Sequence, residues 1–308
     1  MSSRPTRMSG VLAPVITPFD DDLKPDARRL IRHCRWLLSQ GAGLAVFGTN
    51  SEANSMSTAE KADLLESLVG SGLDPARMMP GTGCCALTDS IELTRKAVEL
   101  GCGGVLMLPP FYYKGVSDDG LFASYSEIIQ QVGNADLQIY LYHIPPIAQV
   151  GLSVGLIERL VKAYPDNIAG IKDSSGDWHN TAAILDRQWP DFRVFPGSEV
   201  FLLRAMESGG AGCISATANI NPGAINELYQ RWDTVRAPQL QDQLNRVRQQ
   251  LKGVPMIAEL KAVVAHYTGD DAWLRVRPPL ESLSKQHSKP LLSALEELDF
   301  EMPGLAGC

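Results

Sequence analysis

Short apolar runs alternate with helix-patterned stretches along most of the chain, and this alternation constrains the fold more than any other feature. The runs are Val11–Ile16, Leu44–Phe47, Met78–Gly81, Gly103–Leu108, Leu137–Tyr142, Ile168–Lys172, Phe192–Phe195 and Gly212–Ser215. Between them lie stretches such as Pro25–Gln40, where Leu30, Ile31, Cys34 and Leu37 form one stripe and Gly41 marks the stop. Ser57 and Glu60 have the spacing of a capping box, and Ser153 has the place of an N-cap. Thr88–Leu100, Leu121–Gln131, Thr181–Arg187 and Val200–Ser208 supply further helices. Strands separated by helices pair in parallel, since only hairpins join antiparallel neighbours through short turns. Met78–Gly81 is weak in β-propensity but stands where the alternation requires a strand.

Eight βα units spread over about 230 residues match the size of a closed (β/α)8 barrel, a TIM barrel. Residues 1–9 are expected to be a flexible N-terminus, 10–235 the barrel and 236–308 a C-terminal helical extension. Gly253-Val254-Pro255 is expected to separate two helices of that extension. A doubly wound open sheet is the competing architecture, but no GxGxxG follows the first strand.

The 308 residues are 44% hydrophobic, enough for a sizeable core, and carry a net charge of -7. An acidic balance without a basic face excludes a nucleic-acid partner. No apolar run nears the roughly 20 residues of a membrane span, and the first residues lack the apolar segment of a secretory signal, so a cytoplasmic location is expected. The six cysteines (Cys34, Cys84, Cys85, Cys102, Cys213, Cys308) form no CxxC and have no histidine at metal-ligand spacing. They read as reduced thiols, mostly small core residues, with Cys84-Cys85 a loop feature.

Barrel enzymes carry their reactive groups at the C-terminal ends of the strands. Here those positions hold Gly48-Thr49-Asn50-Ser51-Glu52, Pro109-Pro110-Phe111-Tyr112-Tyr113-Lys114, Tyr142-His143-Ile144-Pro145-Pro146, Lys172, Gly197-Ser198-Glu199 and Ser215-Ala216-Thr217-Ala218-Asn219. Lys172 alone reads as a surface lysine at a strand end or as an amine poised to attack a carbonyl. Likewise, Tyr142 fits a core tyrosine, Thr49 a helix cap, His143 a packing histidine, Tyr112-Tyr113 an interface pair and Glu199 a capping carboxylate. Their convergence on one barrel mouth favours the chemical readings.

Gly48-Thr49-x-x-Glu52, Pro110-x-Tyr112, Tyr142-x-Ile144-Pro145, Gly170-Ile171-Lys172 and Ser215–Asn219 stand in an order and spacing that resemble the dihydrodipicolinate synthase / N-acetylneuraminate lyase family. The resemblance runs from about Gly10 to Pro279. It implies a class I aldolase or lyase in which Lys172 forms a Schiff base with a 2-oxo acid, usually pyruvate, and an aldehyde is joined or released. The covalent imine replaces any cofactor, and no metal is expected. Tyr142 would move protons, linked through Thr49 to Tyr112, which in that family can reach across a subunit contact. A homo-oligomer, dimer or tetramer, follows. Tyrosine's ordinary pKa of about 10 makes such a hydroxyl chain useful near neutrality. Thr49 and Asn50 would hold the 2-oxo acid carboxylate on their backbone amides, with Ile214, Gly197, Glu199 and Ile147 as further substrate-binding positions.

Three departures bear on the substrate. Ile147 stands where the synthase branch carries a carboxylate-binding arginine, and an apolar side chain cannot grip a carboxylate, which argues against dihydrodipicolinate synthesis. Asn50 and Ser51 replace a hydroxyl residue and a glycine. Of the lyase branch's acidic pair only Glu199 remains, placed to bind a substrate hydroxyl. Two alternatives use the same barrel: a dehydratase of 2-oxo-3-deoxy sugar acids working through the lysine iminium, and a non-catalytic 2-oxo acid sensor.

Overall fold

The computed structural model describes residues 6–251 and 256–305. Its parallel strands are Gly10–Ala13, Gly43–Leu44, Val105–Met107, Ile139–His143, Ile168–Asp173, Arg193–Pro196 and Gly212–Ile214. The expected third strand is present only as two bridges, Leu44 to Met78 and Gly81 to Leu106. Pro80 in its middle has no N–H to donate, so a regular ladder cannot form. The segment nonetheless joins its neighbours: Met79 N donates to Leu44 O at 2.7 Å and Leu106 N to Pro80 O at 2.9 Å. Counting it, Lys172 lies on the sixth of eight strands. The first strand stops at Ala13 rather than Ile16, because Pro14 ends its donor row.

The barrel closes where the first strand pairs with the last, Gly10 against Gly212 and Leu12 against Ile214. This seam requires glycine. A Cβ on Gly212 would lie 1.9 Å from the Gly10 carbonyl oxygen, and Gly212 has a φ of +133°. Alternation along the strands sorts side chains between two cores. Leu12, Ala45, Met79, Leu106, Tyr140 and Phe195 fill the barrel interior, while Val11, Leu44, Val105, Ile139 and Val194 pack outward under the helices.

One irregularity decides what the interior carries. Ile139 pairs with Ile168, but Tyr140 pairs with Gly170, so Ala169 is an extra residue in the sixth strand. Beyond this bulge Tyr142 stands opposite Lys172. Gly170 allows the close approach, since a Cβ there would meet the Arg193 carbonyl oxygen at 2.1 Å.

The capping box expected at Ser57 is formed, with Glu60 N donating to Ser57 Oγ at 3.2 Å and Ser57 N to Glu60 Oε2 at 2.9 Å. Helix Pro222–Gln230 completes the eighth unit. The C-terminal helices Ala237–Arg248, Met256–Thr268 and Lys285–Glu296 form the helical extension. Gly253-Val254-Pro255 and Cys308 lie outside the described residues, as does most of the expected N-terminal tail.

Helix Met256–Thr268 is buried almost all round and reaches the loop after the second strand through a charge network. Lys261 Nζ donates to a Glu52 carboxylate oxygen, and to Arg275 O at 2.6 Å. The other Glu52 oxygen accepts Arg277 N at 2.9 Å. The Arg277 guanidinium holds Glu60 through two bonds, 3.0 and 2.5 Å. Phe19 lies between the two cations, with Lys261 Nζ 4.6 Å and Arg277 Cζ 4.8 Å from its ring centroid. Burial lowers the Lys261 pKa to about 8 despite Glu52, which favours the charged form.

Truncating one partner of this pair leaves a buried carboxylate uncompensated, so Lys261→Met is expected to lower stability by about 3–5 kcal/mol, read from denaturant midpoints. Glu60 gives a pH signature. Its hydrogen bonds to Arg277 pull its pKa from 4.5 down to about 2. The folded state therefore holds the carboxylate ionised where the unfolded chain protonates it, and the resulting stability is present above pH 4.5 and lost as pH falls through about 2. Urea midpoints of wild type and Glu60→Gln should converge over that interval.

Candidate active site

Lys172 closes the sixth strand with its side chain in the barrel interior, only 2% exposed. Its Nζ donates to Tyr142 Oη at 3.2 Å and lies 4.3 Å from the Tyr142 ring centroid. Tyr142 Oη is in turn 3.2 Å from Thr49 Oγ1. When the lysine nitrogen donates to the phenol oxygen, the phenol proton points on to Thr49, giving a continuous amine–phenol–hydroxyl chain. This is the arrangement by which a proton at the amine can be exchanged without bulk water.

Thr49 reaches the mouth through a strained turn. Phe47, three residues past the second strand, has a φ of +61°, costly for an aromatic residue, and directs the chain over the barrel. Thr49–Ser51 then form a 3-10 turn, pinned by Gly48 N donating to Ser51 Oγ at 3.2 Å and Thr17 Oγ1 to Ser51 O at 2.8 Å. Glu52, with a φ of +57°, ends the turn and ties it to Lys261.

An open cavity of about 280 Å³ lies above these groups, with Lys172, Tyr142, Thr49, Asn50, Ile147 and Gly197 in its wall. Gly197 lets the wall close against Ser174, because a Cβ there would lie 2.0 Å from Ser174 Oγ and 2.9 Å from Ser174 Cα. Asp173, the acidic neighbour of the lysine, is fully engaged: Oδ1 accepts Ser175 N at 2.9 Å, and Oδ2 accepts Thr181 Oγ1 at 2.6 Å and Asn180 Nδ2 at 3.1 Å. His143 Nδ1 accepts Leu152 N at 2.9 Å, and burial lowers its pKa, so it is a neutral packing residue.

Three expected site residues lie elsewhere. Glu199 is fully buried outside the cavity wall, its carboxylate accepting Ser215 Oγ and, at 3.4 Å, Ser198 Oγ. The 3-10 turn Glu199–Phe201 sends the side chain into the protein, where it cannot bind a substrate hydroxyl from the cavity. Ile214 is packed in the barrel interior and does not reach the wall. Tyr112 is 74% exposed, stacked edge-on against Tyr113 at 5.4 Å, and within this chain it does not join Thr49. Asn219 is structural: its amide bridges Ile16 N, Pro14 O and Ala216 O, each at 3.0 Å, locking the first strand's loop to the eighth's.

Sequence reasoning missed Arg248 and Met256, which enter the cavity wall from the C-terminal helices. Arg248 ends its helix, and only its place in the last turn distinguishes it from the helix's other basic residues. It also missed the short helix Pro145–Ala148, which presents Ile147, 62% exposed, at the cavity rim.

Among the described residues no helix is long and apolar enough to cross a membrane. The chain is 33% identical over 294 residues, 94% of it and 96% of the relative, to an uncharacterized DapA-like lyase of Chloroflexus aurantiacus. Dihydrodipicolinate synthase from Agrobacterium tumefaciens superposes with a TM-score of 0.85 at 33% identity, covering 94% of this chain and 99% of that one. The chloride-inhibited dihydrodipicolinate synthase from Acinetobacter baumannii, complexed with pyruvate, gives 0.83 at 27% identity, with 95% and 99% covered. The sequence model of the dihydrodipicolinate synthetase family matches residues 7–298. A (β/α)8 barrel with its lysine, tyrosine and threonine joined at the mouth, matched over nearly its whole length, belongs to the dihydrodipicolinate synthetase family of aldolase-type lyases.

Proposed function

We propose that this protein is a Schiff-base lyase that joins pyruvate to an aldehyde, or releases them from their aldol product, through Lys172. The observation that carries the reading is the hydrogen-bonded chain Lys172–Tyr142–Thr49. The unprotonated amine attacks the keto carbon of pyruvate, and the carbinolamine loses water to give an iminium. Tyr142 Oη, 3.2 Å from Nζ, exchanges the protons of these steps with Thr49. The iminium withdraws electrons from the adjacent carbon, which loses a proton to give an enamine. Attack of the enamine carbon on the aldehyde carbon forms the C–C bond, the aldehyde oxygen takes up a proton, and water then frees the 2-oxo acid from the lysine. Backbone N–H groups of Thr49 and Asn50 hold the pyruvate carboxylate. Tyr112 completes the hydroxyl chain from a second copy, so the active form is a homo-oligomer. Ile147, apolar and at the rim, speaks against the dihydrodipicolinate reaction itself.

Borohydride reduction in the presence of pyruvate is expected to add one reduced pyruvate to Lys172, located by peptide mass spectrometry, and to add nothing to Lys172→Met. Modification at another lysine, or none, refutes the mechanism. Thr49→Val keeps the side-chain volume and removes the hydroxyl. It should still form the adduct while turnover falls by about 10²–10⁴-fold; turnover at the wild-type rate would remove Thr49 from the relay.

A further inference from the structure

Among the described residues three lysines are buried, Lys61, Lys172 and Lys261. Lys172 has its phenol and Lys261 has Glu52. Lys61, 5% exposed, has no carboxylate within ion-pair distance among the described residues, and the one hydrogen-bond partner of its Nζ is Cys84 Sγ at 3.6 Å. Burying an amine without a counter-ion is costly, so a thiol as sole partner is an unfavourable way to place a lysine. The two groups come from separate elements. Helix Thr58–Gly70 carries Lys61, and Cys84 stands in the loop 82–86, where its N donates to Ser90 Oγ at 2.9 Å while Thr94 Oγ1 donates to Thr82 Oγ1 at 3.0 Å. Cys34 and Cys213 are buried, whereas Cys84 is partly exposed, within reach of a small solute. It is the one described thiol to which an amine donates.

An amine held against a thiol becomes a reaction partner once the sulfur is oxidised. We propose that a hydroperoxide converts the contact between Cys84 and Lys61 into a covalent sulfur–nitrogen bridge. The peroxide oxidises the Cys84 thiol to a sulfenic acid and is itself reduced to water. The lone pair of Lys61 Nζ then forms the S–N bond, the S–OH bond breaks, and the hydroxyl leaves as water with a proton from the amine. One thiol, one amine and one hydrogen peroxide thus give one sulfenamide and two waters. The flexible lysine stem closes the remaining gap. Two equivalents of a small thiol reverse the step, restoring amine and thiol and leaving a small-molecule disulfide. The groups facing the thiol are Lys61, Asp89 from helix Leu87–Glu99, and Cys85 beside it. Burial raises the Cys84 pKa and Lys61 offsets this in part, so the thiol rests protonated and the reaction quickens as pH rises. Lys61 also lines a small cavity whose wall includes Thr49 and Tyr142. A cation there favours release of the phenol proton, and the bridge replaces it with a non-basic nitrogen. Oxidation should therefore slow imine formation, a consequence that rests on the Schiff-base reading, as the bridge itself does not.

The test treats the full chain, as wild type, Cys84→Ser, Cys85→Ser and Lys61→Arg, with hydrogen peroxide at about pH 8 to raise the thiolate share. Remaining thiols are alkylated, and the digests are read by peptide mass spectrometry. Wild type and Cys85→Ser should yield peptides joined through Lys61 and Cys84, lighter by two hydrogens than their sum and parted by dithiothreitol. Cys84→Ser and Lys61→Arg should yield none. Oxygen acids of Cys84 without a joined peptide, a disulfide between Cys84 and Cys85 in its place, or a joined peptide that persists in Lys61→Arg would overturn the bridge. Cyanoborohydride trapping of pyruvate is then compared after removal of the peroxide, with the bridge checked again at the end. In wild type, trapping should fall in proportion to the bridged fraction and recover with dithiothreitol, and Cys84→Ser should be indifferent to peroxide. Unchanged trapping in bridged protein, or an equal loss in Cys84→Ser, would overturn the effect on imine formation. Absent trapping in untreated wild type would instead overturn the Schiff-base reading, with the joined peptides still deciding the bridge.

Discussion

The bulge at Ala169 is the constraint on which the site depends. In a parallel pair with period-2 side chains, a shift of one residue exchanges the two faces of a strand. Continuing the pairing of Ile139 with Ile168 without interruption would set Tyr142 opposite Ile171 and turn Lys172 toward the helices. The extra residue instead puts Lys172 and Tyr142 side by side in the interior, 3.2 Å apart at their polar atoms. Gly170, where a side chain would strike the Arg193 carbonyl, lets the neighbouring strand close over the irregularity. Strand-level geometry therefore places the amine, and the loops need only supply what surrounds it.

Two lysines with almost no exposed surface are treated in opposite ways. Lys261 faces a carboxylate, Glu52, and a carbonyl oxygen, partners that compensate a buried ammonium and fix it in place. Lys172 is given a phenol, and the nearby Asp173 carboxylate is occupied by three other donors. A neutral hydroxyl partner can accept from the charged amine or donate to the uncharged one, so it does not tie the lysine to a single protonation state. The first arrangement holds a scaffold together, and the second is what the proposed Schiff-base chemistry requires. They are also joined, because the Glu52 that satisfies Lys261 ends the turn carrying Thr49.

How much of this was legible in the sequence follows from how local each feature is. The barrel could be read from the alternation of apolar runs and helical stripes, and its strand ends pointed directly to Lys172, Tyr142 and Thr49. The third strand was weak in the sequence for the reason it is irregular in the structure, the proline at its centre. Glu199 was misjudged because the residue after a strand end turns inward or outward according to the 3-10 turn that follows, and Gly197-Ser198-Glu199 carries no mark of that choice. The extra residue at Ala169 left no trace beyond Gly170. Arg248 was invisible for a different reason: it meets the cavity only through the docking of a helix formed some 76 residues after Lys172 in the numbering.

That docking gives the fold a division of labour with a physical basis. The amine, phenol and hydroxyl stand on or beside barrel strands, whose ladder hydrogen bonds and close glycine contacts leave little room for adjustment. Arg248 and Met256 belong to helices packed on the outside of that ladder, and they reach the cavity from its rim. A change at the rim alters the charge and shape of the cavity wall while the distance from Lys172 to Tyr142 stays set by strand register. Lys261 and Arg277 go further within the extension, since their contacts with Glu52 reach the Thr49 turn. Substitutions in the C-terminal helices should accordingly separate into two kinds: those at the Arg248 end change the wall of the cavity, and those at the Lys261 end disturb the turn that carries Thr49.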